Sequence, residues 1–269
     1  MNEIAEYVLA RQVLLDALEG LGSQRDALVL VGAQAIYAQV GAADLAVPPM
    51  TTDGDLALDP RLLSDLPLLG EAMQQAGFVA AGQPGSWRGR GNVCVDLMVP
   101  AALAADHGRR GVDLGVHGRL VARYTAGLEA AMVDHTTHQL SSLSEEDTRS
   151  FSLRVAGPAA LWVAKQHKLG ERAGTRRMGD KDALDVLRLL RGTETRTLAQ
   201  HLRVLATDPI ARAATQSAFQ YFEHIFVRHG APGPEMAARA AAHVELPTVI
   251  RASTMLLSHQ LWEALRDGL

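Results

Sequence analysis

The chain of 269 residues has one cysteine, three lysines and few aromatic residues, 4% of the total. Each scarcity excludes something. Cys94 has no second cysteine to pair with, so internal disulfides and paired-cysteine zinc sites are out. A lone thiol fits a reducing cytoplasm. Cys94 has no obvious base beside it in sequence and reads as a packing residue rather than a nucleophile. With so few aromatics, the 48% apolar content is mostly Leu, Val and Ala, enough for a real core. No apolar run reaches transmembrane length. Met1-Asn2-Glu3 opens no basic-then-apolar signal pattern. His-Glu-x-x-His is absent, and so is Gly-x-Ser-x-Gly, which argues against those zinc-hydrolase and serine-hydrolase classes. The ten histidines form no ligand pattern. His135 and His138 lie in an expected strand, where a spacing of three turns the rings to opposite faces.

Positive charge is also short. The net charge of −4 argues against a generic nucleic-acid coat. Residues 1–150 hold 10 basic and 19 acidic side chains, and the remainder holds 16 and 11. An acidic half beside a basic half suits a metal-bound anion on one side and an anionic partner on the other. Two domains attracted through opposite surfaces is the plainer reading.

What is present begins with three aspartates. Asp53 and Asp55 lie in Met50-Thr51-Thr52-Asp53-Gly54-Asp55-Leu56-Ala57-Leu58, and Asp96 lies in Asn92-Val93-Cys94-Val95-Asp96-Leu97-Met98-Val99-Pro100. Both segments read as strands. Residues two apart on a strand share a face, roughly 6.5–7 Å apart. Asp53 and Asp55 therefore project together, and Asp96 joins them if its strand pairs alongside. Three carboxylates on one face repel unless a cation sits between them. Such a group suits Mg²⁺ carrying nucleotide phosphates, or two-metal displacement. Solvated acids at a strand edge are the alternative.

Upstream, Ala27-Leu28-Val29-Leu30-Val31 reads as a buried strand, and Gly32-Ala33-Gln34-Ala35 opens a helix. A glycine at a strand-to-helix turn lets backbone N–H groups approach a phosphate. The order strand, glycine, helix, Asp-x-Asp strand, later Asp strand resembles the nucleotidyltransferase fold of the DNA polymerase β superfamily. Two positions depart from that pattern. Ala33 replaces a residue that often carries a hydroxyl, and Gly54 replaces an apolar residue between the acids.

The three lysines cluster in Leu161-Trp162-Val163-Ala164-Lys165-Gln166-His167-Lys168-Leu169-Gly170-Glu171-Arg172 and in Lys181-Asp182-Ala183-Leu184-Asp185. An ammonium differs from a guanidinium as a phosphate ligand. An apolar helix with Lys-x6-Arg, then Lys-Asp-x-x-Asp opening the next helix, resembles the AbiEii-type and MenT-type toxin branch of the nucleotidyltransferases. The resemblance spans roughly residues 25 to 192. It implies that Lys165 and Asp182 support catalysis, and that Lys168, Arg172, Lys181 and Asp185 support nucleotide binding, with the Gly32-Ala33-Gln34 turn cradling phosphate. It also implies metal held by Asp53, Asp55 and Asp96. An interhelical salt-bridge network is the alternative for the Lys–Arg–Asp group.

The expected fold is therefore α+β. A small mixed sheet flanked by helices, residues 1–156, precedes a mainly α-helical part, 157–269. The implied function is Mg²⁺-dependent transfer of an NMP from an NTP to an acceptor hydroxyl, with release of pyrophosphate. The resemblance points to an RNA acceptor, tRNA, and to a cognate antitoxin protein, with no membrane partner. Two alternatives stay open: transfer to a small molecule of the aminoglycoside type, and an inactive nucleotide-binding module of the same fold.

Periodicity fills in the rest. Helices are expected over 2–19 and 60–76 with a break at Pro67, from Gly157-Pro158 through the Lys165 segment, and over 180–191 with Asp180 as N-cap, 195–206, 208–229, 234–243 and 248–267. Short strands are expected at 78–80, 120–124, 135–140 and 151–155. Gly41 to Met50 reads as a flexible lead-in. Gly82 to Gly91 reads as a turn, or as a basic aromatic loop that stacks a base.

Overall fold

A computed structural model describes residues 3–41, 51–104, 111–173, 175, 179–242 and 244–267. Helix α1 (Glu3–Leu21) buries Ala10, Val13, Leu14, Leu15, Ala17, Leu18 and Leu21 against the sheet. Arg11, which interrupts that stripe, is buried with it. Strand β1 (Leu28–Val31) is buried at every position, and α2 (Gly32–Val40) follows at once. Then come β2 (Asp53–Leu58), α3 (Leu69–Gln75), β3 (Val79–Ala80), β4 (Ser86–Arg88), β5 (Cys94–Pro100), β6 (Arg123–Thr125), β7 (His135–Ser141) and β8 (Ser150–Ala156).

These strands form one mixed sheet in the order β3-β4-β5-β2-β1-β8-β7, with β6 on the far end of β5. Strand β1 runs antiparallel to β2 and parallel to β8, and β2 runs parallel to β5. The class is α+β. Among the described residues, six α-helices follow the last strand: α4 (Pro158–Arg172), α5 (Asp180–Gly192), α6 (Thr195–Leu205), α7 (Arg212–Phe222), α8 (Gly233–Ala240) and α9 (Pro247–Arg266). Helix α2 packs on both α4 and α5, so one core runs from the sheet into the helical part. Trp162, Phe222 and Phe226 fill its helical end. Among the described residues, no helix is long and apolar enough to cross a membrane.

Several boundaries differ from the periodicity. Only Leu69–Gln75 of the 60–76 stretch is α-helix; Pro60–Leu62 is a 3-10 turn and Pro67 stops continuation. The strand expected at 120–124 sits at Arg123–Thr125. The helix expected at 208–229 is α7 with a π turn, Glu223–Val227, after it. Gly179, not Asp180, is the N-cap of α5. Asp180 is the first helical residue and its carboxylate accepts two hydrogen bonds from Arg239, at 2.8 and 2.9 Å. The lead-in at 42–50 lies outside the described residues. The 82–91 segment contains β4. Trp87 there is buried and donates its indole N–H to Val121 O at 3.0 Å, so its ring is core and not a base platform.

Candidate active site

Parallel pairing of β2 with β5 puts Asp55 opposite Asp96. The antiparallel neighbours extend the row, with Val31 opposite Asp55 and Ser86 opposite Asp96. Side chains in register share a face. All four residues line one cleft of about 650 Å³. Asp53 pairs with Cys94 one row away on the same face. It is exposed, does not line the cleft, and its carboxylate accepts a 2.5 Å hydrogen bond from the Thr51 hydroxyl.

The local sequence explains how the row is held. Gly32 has φ +70°, and a Cβ there would lie 2.1 Å from Asp55 Oδ2. The turn must be glycine for Asp55 to sit against it. Ala33 is nearly buried. The Gln34 side chain is buried and used at both ends: its Oε1 accepts from Arg11 Nε at 2.8 Å, and its Nε2 donates to Asp53 O at 2.9 Å. Gln34 thus anchors the start of β2, and only the backbone of the turn remains for a ligand. Gly54 faces away from the acids. A Cβ there would lie 3.2 Å from Leu14 Cδ1, so the missing side chain makes room for α1.

The charges within the row are unequal. Burial, then the Asp53 charge, raise the Asp55 carboxyl to about 6; Asp96 adds to the rise, while Lys168 and Lys165 oppose it. Asp96 Oδ2 accepts a 2.7 Å hydrogen bond from Arg123 Nη2, and both side chains are about one-fifth exposed. Asp96 Oδ1 is buried and has no hydrogen-bond partner among the described residues.

Helix α4 forms the facing wall. Leu161, Ala164, Lys165, Lys168, Glu171 and Arg172 line the cleft, at the three- and four-residue spacing of one helix face. Lys165 is buried and donates to Asp182 Oδ1 at 2.8 Å and to Asp185 Oδ2 at 2.7 Å. Burial alone would lower its ammonium, but Asp185 and Asp182 outweigh that and raise it. This favours the charged ammonium over a free amine that could act as a general base. Burial would raise Asp182, yet Lys165, Lys168 and Arg172 hold its carboxyl down to about 2. Asp185 also accepts from Arg188 Nη1 at 2.8 Å.

Asp182 and Asp185 lie beneath the cleft wall rather than in it, so the salt-bridge alternative describes them. Lys165 belongs to both the network and the wall. Lys168 is 47% exposed, with Asp182 Oδ1 at 3.5 Å. Arg172 is 30% exposed and bonds Asp182 Oδ2. Lys181 is exposed on α5 and does not reach the cleft.

Among the described residues, no three His, Cys, Asp or Glu side chains are grouped closely enough to hold a metal ion. The residues fit a hard cation in one arrangement, shared between Asp55 and Asp96. Both donors are carboxylate oxygens facing one cleft, and the orphaned Asp96 Oδ1 lacks a partner. Asp53 would have to turn from Thr51 to join them.

Sequence reasoning missed Arg123, Ser86, Gln83, Tyr124, Thr125 and Glu171, all of which line the cleft. A single arginine inside the apolar stretch Leu120-Val121-Ala122-Arg123 was the one available signal. Ser86 and Gln83 come from a segment that reads as an ordinary turn.

No protein-family model matches the chain, and no curated protein does. A solved structure similar to it is an antigenic nucleotidyltransferase-like protein from Paracoccidioides brasiliensis, at 14% identity and a TM-score of 0.35, covering 76% of this chain and 91% of that one. A likeness of that size carries no functional argument, and the site must be read from its own geometry.

Proposed function

We propose that this chain is a metal-dependent nucleotidyltransferase. One observation carries the reading: two in-register carboxylates, Asp55 and Asp96, share a cleft with a helix face bearing Lys165, Lys168 and Arg172. Opposed walls of this kind suit a triphosphate with its divalent cation. Asp55 and Asp96 would hold Mg²⁺, with Asp53 completing the set. When bound, the cation neutralises phosphate charge and lowers the barrier to in-line displacement. Lys168 and Arg172 contact the phosphates, and the Gly32–Ala33 backbone flanks them. Lys165, held by Asp182 and Asp185, supplies a fixed positive charge where negative charge develops in the transition state. Asp96 would also help deprotonate the attacking hydroxyl. The pyrophosphate leaves along the α4 wall.

The acceptor we favour is an RNA end such as that of tRNA; Lys168 and Arg172, the partly exposed cations of the α4 wall, are the groups its phosphates would meet. On this reading the protein acts as an RNA-modifying toxin held in check by an antitoxin. The lack of a closed three-ligand group among the described residues favours one second reading, a nucleotide-binding module without transfer.

Titrating each NTP with and without Mg²⁺, in wild type and Asp55→Asn, tests the site. Mg²⁺-dependent binding lost in the variant supports it. Binding unaffected by Asp55→Asn would remove Asp55 from the site.

A further inference from the structure

Resting on that reading of the site, we propose that Arg123 is a resident counter-ion that competes with the metal for Asp96. The structure gives Asp96 a cation already. Arg123 Nη2 is 2.7 Å from Asp96 Oδ2 and 3.2 Å from Met98 Sδ. Both contacts follow from the sheet: Met98 is the register partner of Arg123, and Asp96 lies two residues back on the same face of β5.

The backbone of Arg123 is fixed from both sides. It bridges to Gly111, and a Cβ on Gly85 would lie 2.6 Å from its nitrogen. The side chain instead reaches into the cleft from a strand of three residues. An anchored backbone with a cleft-facing guanidinium is what an exchangeable counter-ion requires.

The state of Asp96 supports the assignment. Its two oxygens are treated differently: Oδ2 carries the Arg123 bond, while buried Oδ1 has no donor among the described residues. A guanidinium bonded to one oxygen leaves the carboxylate half satisfied. A divalent cation engaging Asp96 would stand next to a full positive charge, and the two repel. Arg123 therefore weakens metal binding in the free chain. It gives way only when the cation arrives with an anionic nucleotide whose phosphate can take the guanidinium over. The device keeps Asp96 neutralised until substrate is present.

The test is calorimetric titration of MgCl₂ into the nucleotide-free protein at fixed ionic strength. The forms compared are wild type, Arg123→Gln, Arg123→Lys, Asp96→Asn and the Arg123→Gln/Asp96→Asn double variant. We expect Arg123→Gln to bind Mg²⁺ about tenfold tighter than wild type. Arg123→Lys should stay near wild type because it keeps the charge. Adding Asp96→Asn should abolish the gain. A damaged fold would weaken binding, so a tighter site has no structural explanation. Wild-type binding that depends on Asp96 but is equal or weaker in Arg123→Gln overturns the counter-ion role alone. Mg²⁺ binding that is absent in every form, or insensitive to Asp96→Asn, overturns the metal site and the counter-ion role together.

Discussion

Asp55 and Asp96 stand opposite each other in register on parallel strands β2 and β5. Adjacent strands are about 4.8 Å apart, and two ionised carboxylates at that spacing repel. Burial first, then the Asp53 charge, raise the Asp55 carboxyl to about 6; Asp96 adds a smaller push, and Lys168 and Lys165 oppose it. A raised pKa means that the folded chain holds the proton more tightly than the unfolded one. The stabilising contribution is complete below the unfolded value, near 3.8, and is lost as pH rises through about 6.

Asp55→Asn removes this penalty. Without metal, the variant should melt about 4 °C higher than wild type at pH 8. The gap should close as pH falls towards 4. Thermal melts across that range check it. A variant less stable than wild type at pH 8 would show that Asp55 supports the fold instead of opposing it.

Lys165 and Lys168 lie one turn apart on α4 and should behave differently. Lys165 is the buried centre of a network with Asp182 and Asp185. Lys165→Met leaves both carboxylates without their shared donor and should cost about 3–5 kcal/mol of stability. Lys168 is half exposed. Lys168→Ala should change stability by less than about 0.5 kcal/mol and weaken NTP binding about tenfold. Urea unfolding paired with nucleotide titration separates the two. Equal losses of stability would contradict the division.

Gly32 tests the turn. A methyl group there meets Asp55 Oδ2 at 2.1 Å and must accept φ +70°. Gly32→Ala should cost about 2 kcal/mol and should displace Asp55. Loss of Mg²⁺-dependent nucleotide binding is expected even at temperatures where the variant is fully folded. Unchanged binding would show that the turn does not set the position of Asp55.

Much of this site was legible in sequence because its chemistry is carried by residues with strict local geometry. The Asp-x-Asp alternation, the apolar strand before Gly32 and the Asp96 strand all follow from period-two patterning, and their pairing brought Asp55 and Asp96 together. Lys165 and Lys168 fell on one face of α4 because residues three apart share a helix face, whereas Lys181 lies on α5 outside the cleft. What was hidden depends on the third dimension. Nothing local says that Gly54 faces Leu14, that Gln34 ties Arg11 to Asp53, or that Arg123 reaches Asp96 from a strand 27 residues on. In the 60–76 stretch the break at Pro67 was legible, but the leucines before it repeat at helical spacing without forming an α-helix: that part is a 3-10 turn, Pro60–Leu62, and only Leu69–Gln75 is helical.

Labelled nucleotide measures nucleotidyl transfer directly. Wild type and Asp96→Asn are each incubated with Mg²⁺, each labelled NTP in turn, and total tRNA, then resolved on a gel. The account predicts label in tRNA with wild type and at least about a thousandfold less with Asp96→Asn. Label transferred equally by both proteins would contradict the role of Asp96, and no label from any NTP, with Mg²⁺-dependent binding intact, would contradict transfer to tRNA.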